Sequence, residues 1–219
     1  MVRVGVVLSG CGVYDGSEIH EAVLSMLCLD QQGAEILCMA PDMETSVVNH
    51  LTGKESPGEK RNVLVEAARI ARGKIRDIAD VKQEEVDALM FPGGFGAAKN
   101  LCSFASDGPS CKVHPDVARL AKEVHQAGKP IGAVCIAPAL IAKIFEGSGP
   151  LTLTIGNDPG TAQALEKMGQ EHHNCPCSGF VLDSKNKVVT SPAYMLGKRI
   201  SEVAEGIGKT VEALLKMAR

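Results

Sequence analysis

The chain has 219 residues, of which 45% are hydrophobic and only 3% aromatic, and its net charge is −3. A near-neutral charge without a basic block, together with few aromatic rings for base stacking, argues against nucleic-acid binding. The longest nearly apolar run, residues 133–145, contains Lys143 and is shorter than the ~20 residues of a membrane span, so no membrane partner is expected. The length suits one α/β domain covering residues 1–219.

The first part of the chain predicts a β-α-β unit followed by an irregular segment. A strand is predicted over residues 2–9, then a glycine-rich loop over 10–16, a helix over 17–31 and a second strand over 35–40. Asp15 and Glu18, three residues apart, resemble a capping box at the start of the helix. This order of elements implies parallel strands with a right-handed crossover. The polar stretch 43–60 is predicted to be an irregular excursion or a lid.

The rest of the chain continues the alternation of helices and strands. Helices are predicted over residues 62–72, 97–104, 117–126, 136–145, 161–168 and 194–217, and strands over 86–91, 131–134, 151–155, 180–183 and 188–190. Gly206 and Gly208 are unfavourable in the middle of the last helix. No repeat, low-complexity segment or linker interrupts the pattern. The sequence therefore predicts an α/β fold with a doubly wound, mostly parallel sheet sandwiched by helices.

Cysteine usage and the first residues of the chain bear on its location. The chain enters a strand pattern at residues 2–8, without the layout of a signal peptide or of an Arg- and Ser-rich transit segment. Eight cysteines in a chain of this size, without a secretion signal, favour free thiols in a reducing compartment over a disulfide framework. We therefore expect a cytoplasmic protein.

Cys135 stands where a short buried strand, residues 131–134, passes into a helix. Ala133 and Ala137 flank it two residues away on either side, as the tight turn of a nucleophile elbow requires. Pro138 is tolerated in the first helical turn, where the backbone lacks an N–H partner. Free N–H groups and the helix dipole favour the thiolate, so the pKa of Cys135 is expected to fall below its usual value of about 8.5. A plain buried cysteine is the alternative.

Three loops leave the C-terminal ends of predicted parallel strands, where sites form in such sheets. They are residues 10–16, residues 92–96 and the Cys135 corner. The backbone N–H groups of Gly93 and Gly94, with that of Ile136, would form an oxyanion hole. An ordinary turn is the alternative for the glycine pair.

Two carboxylates on the first predicted helix, Glu18 and Glu21, share a face close to the first loop. A carboxylate beside Cys135 could take the thiol proton. Glu18 fits a helix cap better, whereas Glu21 lies too deep in the helix to be a cap and is favoured for the functional role. Glu18 and Cys11 are further candidates for lining the pocket.

Two other motifs carry weaker signals. His172, His173, Cys175 and Cys177 suggest zinc, but the Cys-x-Cys spacing is tighter than is usual for zinc and no second cluster exists, so a polar loop explains them as well and no metal is predicted. Glycines 10, 12 and 16 miss the dinucleotide spacing by one residue, which makes a nucleotide site a weak alternative.

Three long motifs resemble one known family. They are LSGCGVYDGSEIHE at 8–21, FPGGFGAAKNL at 91–101 and HQAGKPIGAVCIAP at 125–138, and the similarity extends to SPAYM at 191–195. They resemble the ElbB family, named for enhancing lycopene (isoprenoid) production, within the class I glutamine-amidotransferase-like, PfpI-type superfamily. The resemblance implies a flavodoxin-like fold, usually dimeric, with the nucleophile at Cys135 and its partner carboxylate at Glu21. ElbB-like proteins have been assigned a glyoxalase activity, and the superfamily also contains chaperone-like proteins and proteases.

The chain departs from its amidotransferase and protease relatives in lacking their histidine. Protease-like members place it directly after the cysteine, where this chain has Ile136, and amidotransferases take it from a late His-Pro-Glu, where this chain has Ser191, Pro192 and Ala193. Acyl transfer from an amide then lacks an acid for the leaving amine. Glutaminase and protease activities are therefore disfavoured.

These observations favour a cofactor-free glyoxalase that converts methylglyoxal or glyoxal to lactate or glycolate through a hemithioacetal on Cys135, with Glu21 moving the proton. The expected partners are a small dicarbonyl or other aldehyde substrate and a second copy of the chain. A non-catalytic redox-sensing or regulatory protein linked to isoprenoid biosynthesis is the alternative. A hydrolase or amidotransferase is less favoured and would need a histidine in reach, His20 or His125.

Overall fold

The computed structural model describes residues 1–219 and contains a seven-stranded sheet between two layers of helices. The strands are β1 (Arg3–Val7), β2 (Glu35–Ala40), β3 (Glu44–Asn49), β4 (Lys54–Asn62), β5 (Ile75–Asp77), β6 (Ala88–Phe91), β7 (Ile131–Val134), β8 (Thr152–Leu153), β9 (Glu171–His172), β10 (Val181–Asp183) and β11 (Val188–Ser191). The helices are α1 (Ile19–Gln31), α2 (Val63–Ile70), α3 (Phe95–Lys99), α4 (Phe104–Asp107), α5 (Pro115–Gln126), α6 (Ala137–Ile144), α7 (Pro159–Lys167) and α8 (Ile200–Ala218).

The central sheet has the strand order β10-β11-β7-β6-β1-β2-β5. All neighbouring strands are parallel except β10 and β11, which pair antiparallel. The predicted doubly wound, flavodoxin-like α/β fold is confirmed. From β1 the chain builds outward to β2 and β5 on one side and to β6, β7 and β11 on the other. The loops that follow β1, β6 and β7 therefore meet at one edge of the sheet, where ligands bind in this architecture.

Two hydrophobic cores lie on the two faces of the sheet because successive strand residues point in opposite directions. Leu89 and Phe91 of β6 belong to the core shared with α5 and α6. Ala88 and Met90 of the same strand belong to the core shared with α1, α2 and α8. The site described below lies on the α1 and α8 side, at the C-terminal end of the strands.

The segment 43–60 is an ordered hairpin, so the prediction of an irregular excursion or lid is wrong. β3 and β4 pair antiparallel, with a register shift between Ser46 and Val48. β4 is polar and largely exposed, and it contains Pro57 and Gly58, so the sequence shows none of the period-two alternation that marks a strand. The carboxylate of Asp15 accepts a hydrogen bond of 2.7 Å from the Val48 N–H, which ties the hairpin to the loop after β1.

Several shorter elements also differ from the predictions. The edge strand β5 was not predicted, and the predicted strand over 151–155 is reduced to β8, which pairs with β9 in a separate two-stranded sheet. The helix predicted over 97–104 is split in two: α3 begins earlier, at Phe95, and ends at Lys99, and α4 begins only at Phe104. The last helix was predicted from residue 194 but begins at Ile200, and residues 193–195 form a separate 3-10 turn. None of the helices combines the length and apolar character needed to cross a bilayer. The assignment of residues 1–219 to one domain stays a prediction.

Candidate active site

Cys135 sits on a strained corner between β7 and α6. Its φ is +61°, a left-handed conformation that non-glycine residues adopt at a cost of about 1–2 kcal/mol. The Cys135 N–H donates a 2.9 Å hydrogen bond to the carbonyl of Ser191 at the end of β11, which holds the corner in place. Such strain persists only where the surroundings fix it, and it is concentrated at functional sites. The geometry is that of the predicted nucleophile elbow.

The carboxylate of Glu21 lies against the Cys135 thiol and is completely buried. Its Oε2 accepts a 2.9 Å hydrogen bond from the Gly93 N–H, and its Oε1 accepts one of 3.1 Å from the Tyr194 N–H. The Cys135 sulfur lies beside the same carboxylate, since a Cβ placed on Gly93 would be 2.6 Å from Glu21 Oε2 and 2.9 Å from Cys135 Sγ. Glu21 is therefore fixed by groups from two chain segments far apart in sequence, and the structure brings together Cys135, Glu21 and Gly93 as the sequence predicts.

Burial controls the ionisation of this pair. Removal from water raises the pKa of Glu21 to about 7, against the opposing effect of the hydrogen bonds that it accepts. Burial, followed by the charge of Glu21, also raises the pKa of the Cys135 thiol well above its usual range. The expected lowering of that pKa is wrong, because the N–H groups at the start of α6 are outweighed. Burial therefore favours the thiol form of Cys135 and leaves the Glu21 carboxyl with a pKa of about 7.

Two backbone donors face the sulfur of Cys135. The N–H groups of Gly94 and Ile136 act to lower the pKa of the thiol, because they favour its charged form. The N–H of Gly93, by contrast, is occupied by Glu21. Of the three predicted oxyanion donors, Gly94 and Ile136 are free to serve a reacting oxygen, while Gly93 instead positions the carboxylate.

The glycine pair is also required by close packing. A Cβ on Gly93 would lie only 2.6 Å from Glu21 Oε2 and would overlap Cys135. Gly94 has a φ of +95°, and a Cβ there would lie 2.5 Å from the Gly16 carbonyl oxygen. The loops after β1 and β6 thus touch backbone to backbone, which is what lets Glu21 reach Cys135.

Glu18 caps α1, as expected, but not through a capping box with Asp15. Its Oε2 accepts a 2.7 Å hydrogen bond from the Glu21 N–H, so Glu18 is itself the N-cap residue of the helix. Asp15 binds the hairpin instead. Cys11 faces a cleft of about 340 Å³ beside the hairpin, and neither Cys135 nor Glu21 lines that cleft. The structure therefore places Glu18 beside the site and Cys11 outside it.

Tyr194, which the sequence analysis did not assign, completes the surroundings of the pair together with His20 and Cys177. The hydroxyl of Tyr194 and Nδ1 of His20 are 2.8 Å apart, and His20 Nδ1 lies 4.0 Å from Glu18 Oε1. The Cys177 thiol donates a 3.5 Å hydrogen bond to the carbonyl of Ala193. The only sequence signal for this segment is the 191–195 motif, which carries no spacing that places it near residue 21.

His125 and His172, which the sequence analysis also considered, make their contacts away from Cys135. His125 Nε2 contacts the carbonyl of Asn186, just before β11 begins, at the edge of the sheet opposite Cys135. His172 accepts a hydrogen bond from the Ile155 N–H, and no three His, Cys, Asp or Glu side chains are grouped so that they could hold a metal ion. All eight cysteines carry free thiols.

Access to the site is narrow. Cys135 is only 8% exposed and Glu21 is not exposed at all. The surface clefts of 240–430 Å³ are lined by other residues.

Comparison with known proteins places the chain in a family. No protein-family model matches it. It is 48% identical, over 98% of its length and 83% of the relative's, to the human glutamine amidotransferase-like class 1 domain-containing protein 3, mitochondrial. The chain belongs to the glutamine amidotransferase-like class 1 family. Another member, the ES1 protein homolog, mitochondrial, of Rattus norvegicus, is 46% identical over 98% of this chain and 84% of that one.

Solved structures agree with the fold of this amidotransferase-like chain. An isoprenoid biosynthesis protein with an amidotransferase-like domain from Ehrlichia chaffeensis is 38% identical, covers both chains fully and superposes with a TM-score of 0.94. Glyoxalase III from Candida albicans is 16% identical with a TM-score of 0.62, covering 99% of this chain and 97% of that one. The second likeness shows the fold alone.

The expected cytoplasmic location of this amidotransferase-like protein is wrong. Both relatives, which the chain matches over almost its whole length, are mitochondrial proteins. Free thiols persist in any reducing compartment, so the cysteine content did not separate the cytoplasm from another such location.

Proposed function

We propose that this amidotransferase-like protein is an ElbB-type, glutathione-independent glyoxalase that converts methylglyoxal or glyoxal to lactate or glycolate. One observation supports the proposal: the buried Cys135 thiol on its strained corner lies beside the completely buried carboxylate of Glu21, which the Gly93 and Tyr194 N–H groups hold in place. That arrangement can add a thiol to an aldehyde and then move a proton between two carbons. It provides no acid within contact of the pair for a leaving amine, so the amidotransferase and protease chemistries are poorly served.

In the first step the sulfur of Cys135 adds to the aldehyde carbon while its proton passes to Glu21. The oxygen of the former aldehyde becomes negative and accepts hydrogen bonds from the Gly94 and Ile136 N–H groups. Glu21 then gives the proton to that oxygen, which yields a neutral hemithioacetal and restores the carboxylate. A pKa of about 7 for Glu21 suits both accepting and donating a proton near neutral pH.

In the second step the Glu21 carboxylate removes the proton from the carbon bonded to sulfur. An enediolate forms, with its negative charge on the oxygen of the neighbouring carbon. Glu21 returns the proton to that carbon, and the hydroxyl proton of the hemithioacetal moves to its oxygen. The first carbon has been oxidised to a thioester and the second reduced to an alcohol, so no external oxidant or cofactor is needed. Water then releases the hydroxy acid and the Cys135 thiol. The narrow opening suits a dicarbonyl of three to five heavy atoms.

Lactate formation tests the proposal. Wild-type protein incubated with methylglyoxal, without glutathione and with a metal chelator, is expected to form lactate over many turnovers. Cys11→Ser is the matched control, because Cys11 lies in a separate cleft, and it should match the wild type. Consumption of one methylglyoxal per protein without lactate would contradict the proposal.

A non-catalytic regulator linked to isoprenoid biosynthesis is the second candidate. It is favoured by the likeness to the Ehrlichia chaffeensis structure, which is that of an isoprenoid biosynthesis protein. This candidate expects oxidation of Cys135 by peroxide to sulfinic acid, with no turnover of aldehydes.

We also propose that the protein is a homodimer joined through α1. Ile19, Val23 and Leu27 form an exposed apolar stripe on this helix, and residues 22–29 contain no charged side chain. Val23→Asp is expected to give a monomer, measured by light scattering during gel filtration, because burying an unpaired carboxylate in such an interface is costly. Val65→Asp, at an exposed apolar position on α2, is the control and should stay dimeric. A monomeric wild type would contradict the proposal.

A further inference from the structure

The turn after β11 contacts both Cys135 and Glu21, although the steps above assign no chemistry to its first residue, Ser191. The carbonyl of Ser191 accepts the 2.9 Å hydrogen bond from the Cys135 N–H. Three residues later, the Tyr194 N–H holds Glu21 Oε1 at 3.1 Å. Ala193, between them, has a φ of +44°, in the left-handed region that is unfavourable for a residue with a Cβ. Ser191 therefore begins a strained turn that is built around the reacting groups.

The hydroxyl of Ser191 is buried and has no hydrogen-bond partner in the protein. The residue has no exposed surface, and a buried hydroxyl without a bond destabilises the folded state. The preceding hydroxyl, on Thr190, is equally buried but accepts a 2.9 Å hydrogen bond from the Thr154 N–H. Buried polar groups without a partner are rare in proteins. The hydroxyl of Ser191 is thus available to a bound molecule.

The register of the sheet places this hydroxyl on the face that carries Glu21. Ser191 pairs with Val134, the residue before Cys135, and paired residues of neighbouring strands point to the same face. Val134 packs in the core shared with α1 and α8, as does Val189, two residues before Ser191 in β11. Glu21 is buried on α1 in the same layer. The hydroxyl of Ser191 therefore lies on the α1 side of β11, at the strand end where Cys135 and Glu21 meet.

The proposed reaction develops negative charge on two oxygens, and the groups assigned so far serve only one of them. The N–H groups of Gly94 and Ile136 donate to the oxygen of the carbon that is bonded to sulfur. When Glu21 removes the proton from that carbon, the charge appears on the oxygen of the neighbouring carbon. A fixed donor at this second oxygen stabilises the enediolate, and it does so more strongly in a site screened from water than in solution.

We propose that Ser191 is a catalytic residue whose hydroxyl binds the second oxygen of an α-dicarbonyl substrate. It donates a hydrogen bond to the ketone oxygen of methylglyoxal while the aldehyde carbon is bonded to the Cys135 sulfur. As the enediolate forms, Ser191 gives its hydroxyl proton to that oxygen and takes the proton of the hemithioacetal hydroxyl, so its own hydroxyl is restored. The inference rests on the proposed function and restricts the substrates to aldehydes with a second carbonyl on the neighbouring carbon.

Ser191→Ala is expected to lower lactate formation without destabilising the fold. The kcat should fall about 10²-fold, as on removal of one donor from an oxyanion site. The Tm should stay the same or rise, because the deleted hydroxyl has no bond to lose. Thr190→Val is the matched control: it deletes a hydroxyl on the opposite face, leaves the Thr154 N–H without its acceptor, and should lower the Tm while keeping most of the turnover. A Ser191→Ala variant with wild-type kcat would overturn the proposal.

Protection of Cys135 from iodoacetamide tests Ser191 independently of turnover. Methylglyoxal and propanal both carry an aldehyde that adds to the thiol, but only methylglyoxal has the second oxygen. In Ser191→Ala the methylglyoxal concentration that protects half of Cys135 should rise about threefold to tenfold, the effect of one net hydrogen bond, whereas that of propanal should not change.

The two aldehydes also separate failure of this proposal from failure of the glyoxalase function. A loss of protection confined to methylglyoxal supports the role of Ser191 even in a protein that makes no lactate. An equal loss with both aldehydes, or no loss with either, would overturn the role of Ser191. Absence of lactate from the wild type, with the selective loss present, would overturn the glyoxalase function alone.

Discussion

Glu21→Gln is expected to lower lactate formation at least about 100-fold while making Cys135 easier to ionise. The loss of turnover follows from removing the group that accepts and returns the proton, a contribution of about 10²–10⁴ in rate. The easier ionisation follows from removing a negative charge that raises the pKa of the thiol. Alkylation of Cys135 by iodoacetamide, measured against pH, should therefore begin at lower pH in the variant than in the wild type. The same substitution should thus lower the rate of lactate formation and raise the reactivity of Cys135 towards iodoacetamide.

Two control variants and a stability measurement make this result specific. Cys135→Ser should show neither lactate formation nor alkylation at this position, and it therefore gives the background signal of both assays. Glu18→Gln carries the same change three residues away, where the side chain caps α1, and should keep most of its turnover. Glu21→Gln also gives up one of the two backbone hydrogen bonds, because an amide has a single acceptor oxygen, so its Tm should fall modestly. Lactate formation within twofold of the wild type would contradict the role of Glu21.

Elements with clear periodicity could be predicted from the sequence, and those defined by pairing could not. β2, residues 35–40, and β7, residues 131–134, were predicted at their observed limits, because each is a short apolar run bounded by turn residues. The β3–β4 hairpin was missed because β4 is polar and exposed and is ordered by its partner strand. The strand β5 was missed for the same reason, since three residues at a sheet edge carry little pattern.

The chemical groups of the candidate site could be predicted, but their electrostatics could not. Cys135 and Glu21 are marked by the elbow and by a carboxylate near the first loop. The pKa of Cys135 was placed on the wrong side of its usual value, because the helix N-terminus is visible in the sequence whereas complete burial is not. Tyr194 was missed because it meets Glu21 across 173 positions of the chain. Only the fold brings such residues together.

Two glycines in α8 give the largest expected effect on stability. Both were predicted to be unfavourable in a helix, yet their surroundings differ. A Cβ on Gly206 would overlap the carbonyl oxygen of Cys177, which packs directly on the helix. A Cβ on Gly208 would meet only Cys28 Sγ, at an ordinary 3.8 Å. Gly206 is thus required by a close approach of backbone, whereas Gly208 only weakens the helix.

Gly206→Ala is therefore expected to destabilise the protein by about 1–3 kcal/mol, because backbone must move to admit the methyl group. Gly208→Ala is expected to stabilise it by up to about 1 kcal/mol through helix propensity. Urea unfolding, with midpoints compared at constant slope, measures both changes. Since the Cys177 thiol holds the Ala193 carbonyl beside Tyr194, Gly206→Ala should also lower lactate formation, while Gly208→Ala should leave it unchanged. Equal free energies of unfolding for the two variants would mean that the contact between Gly206 and Cys177 does not constrain the native state.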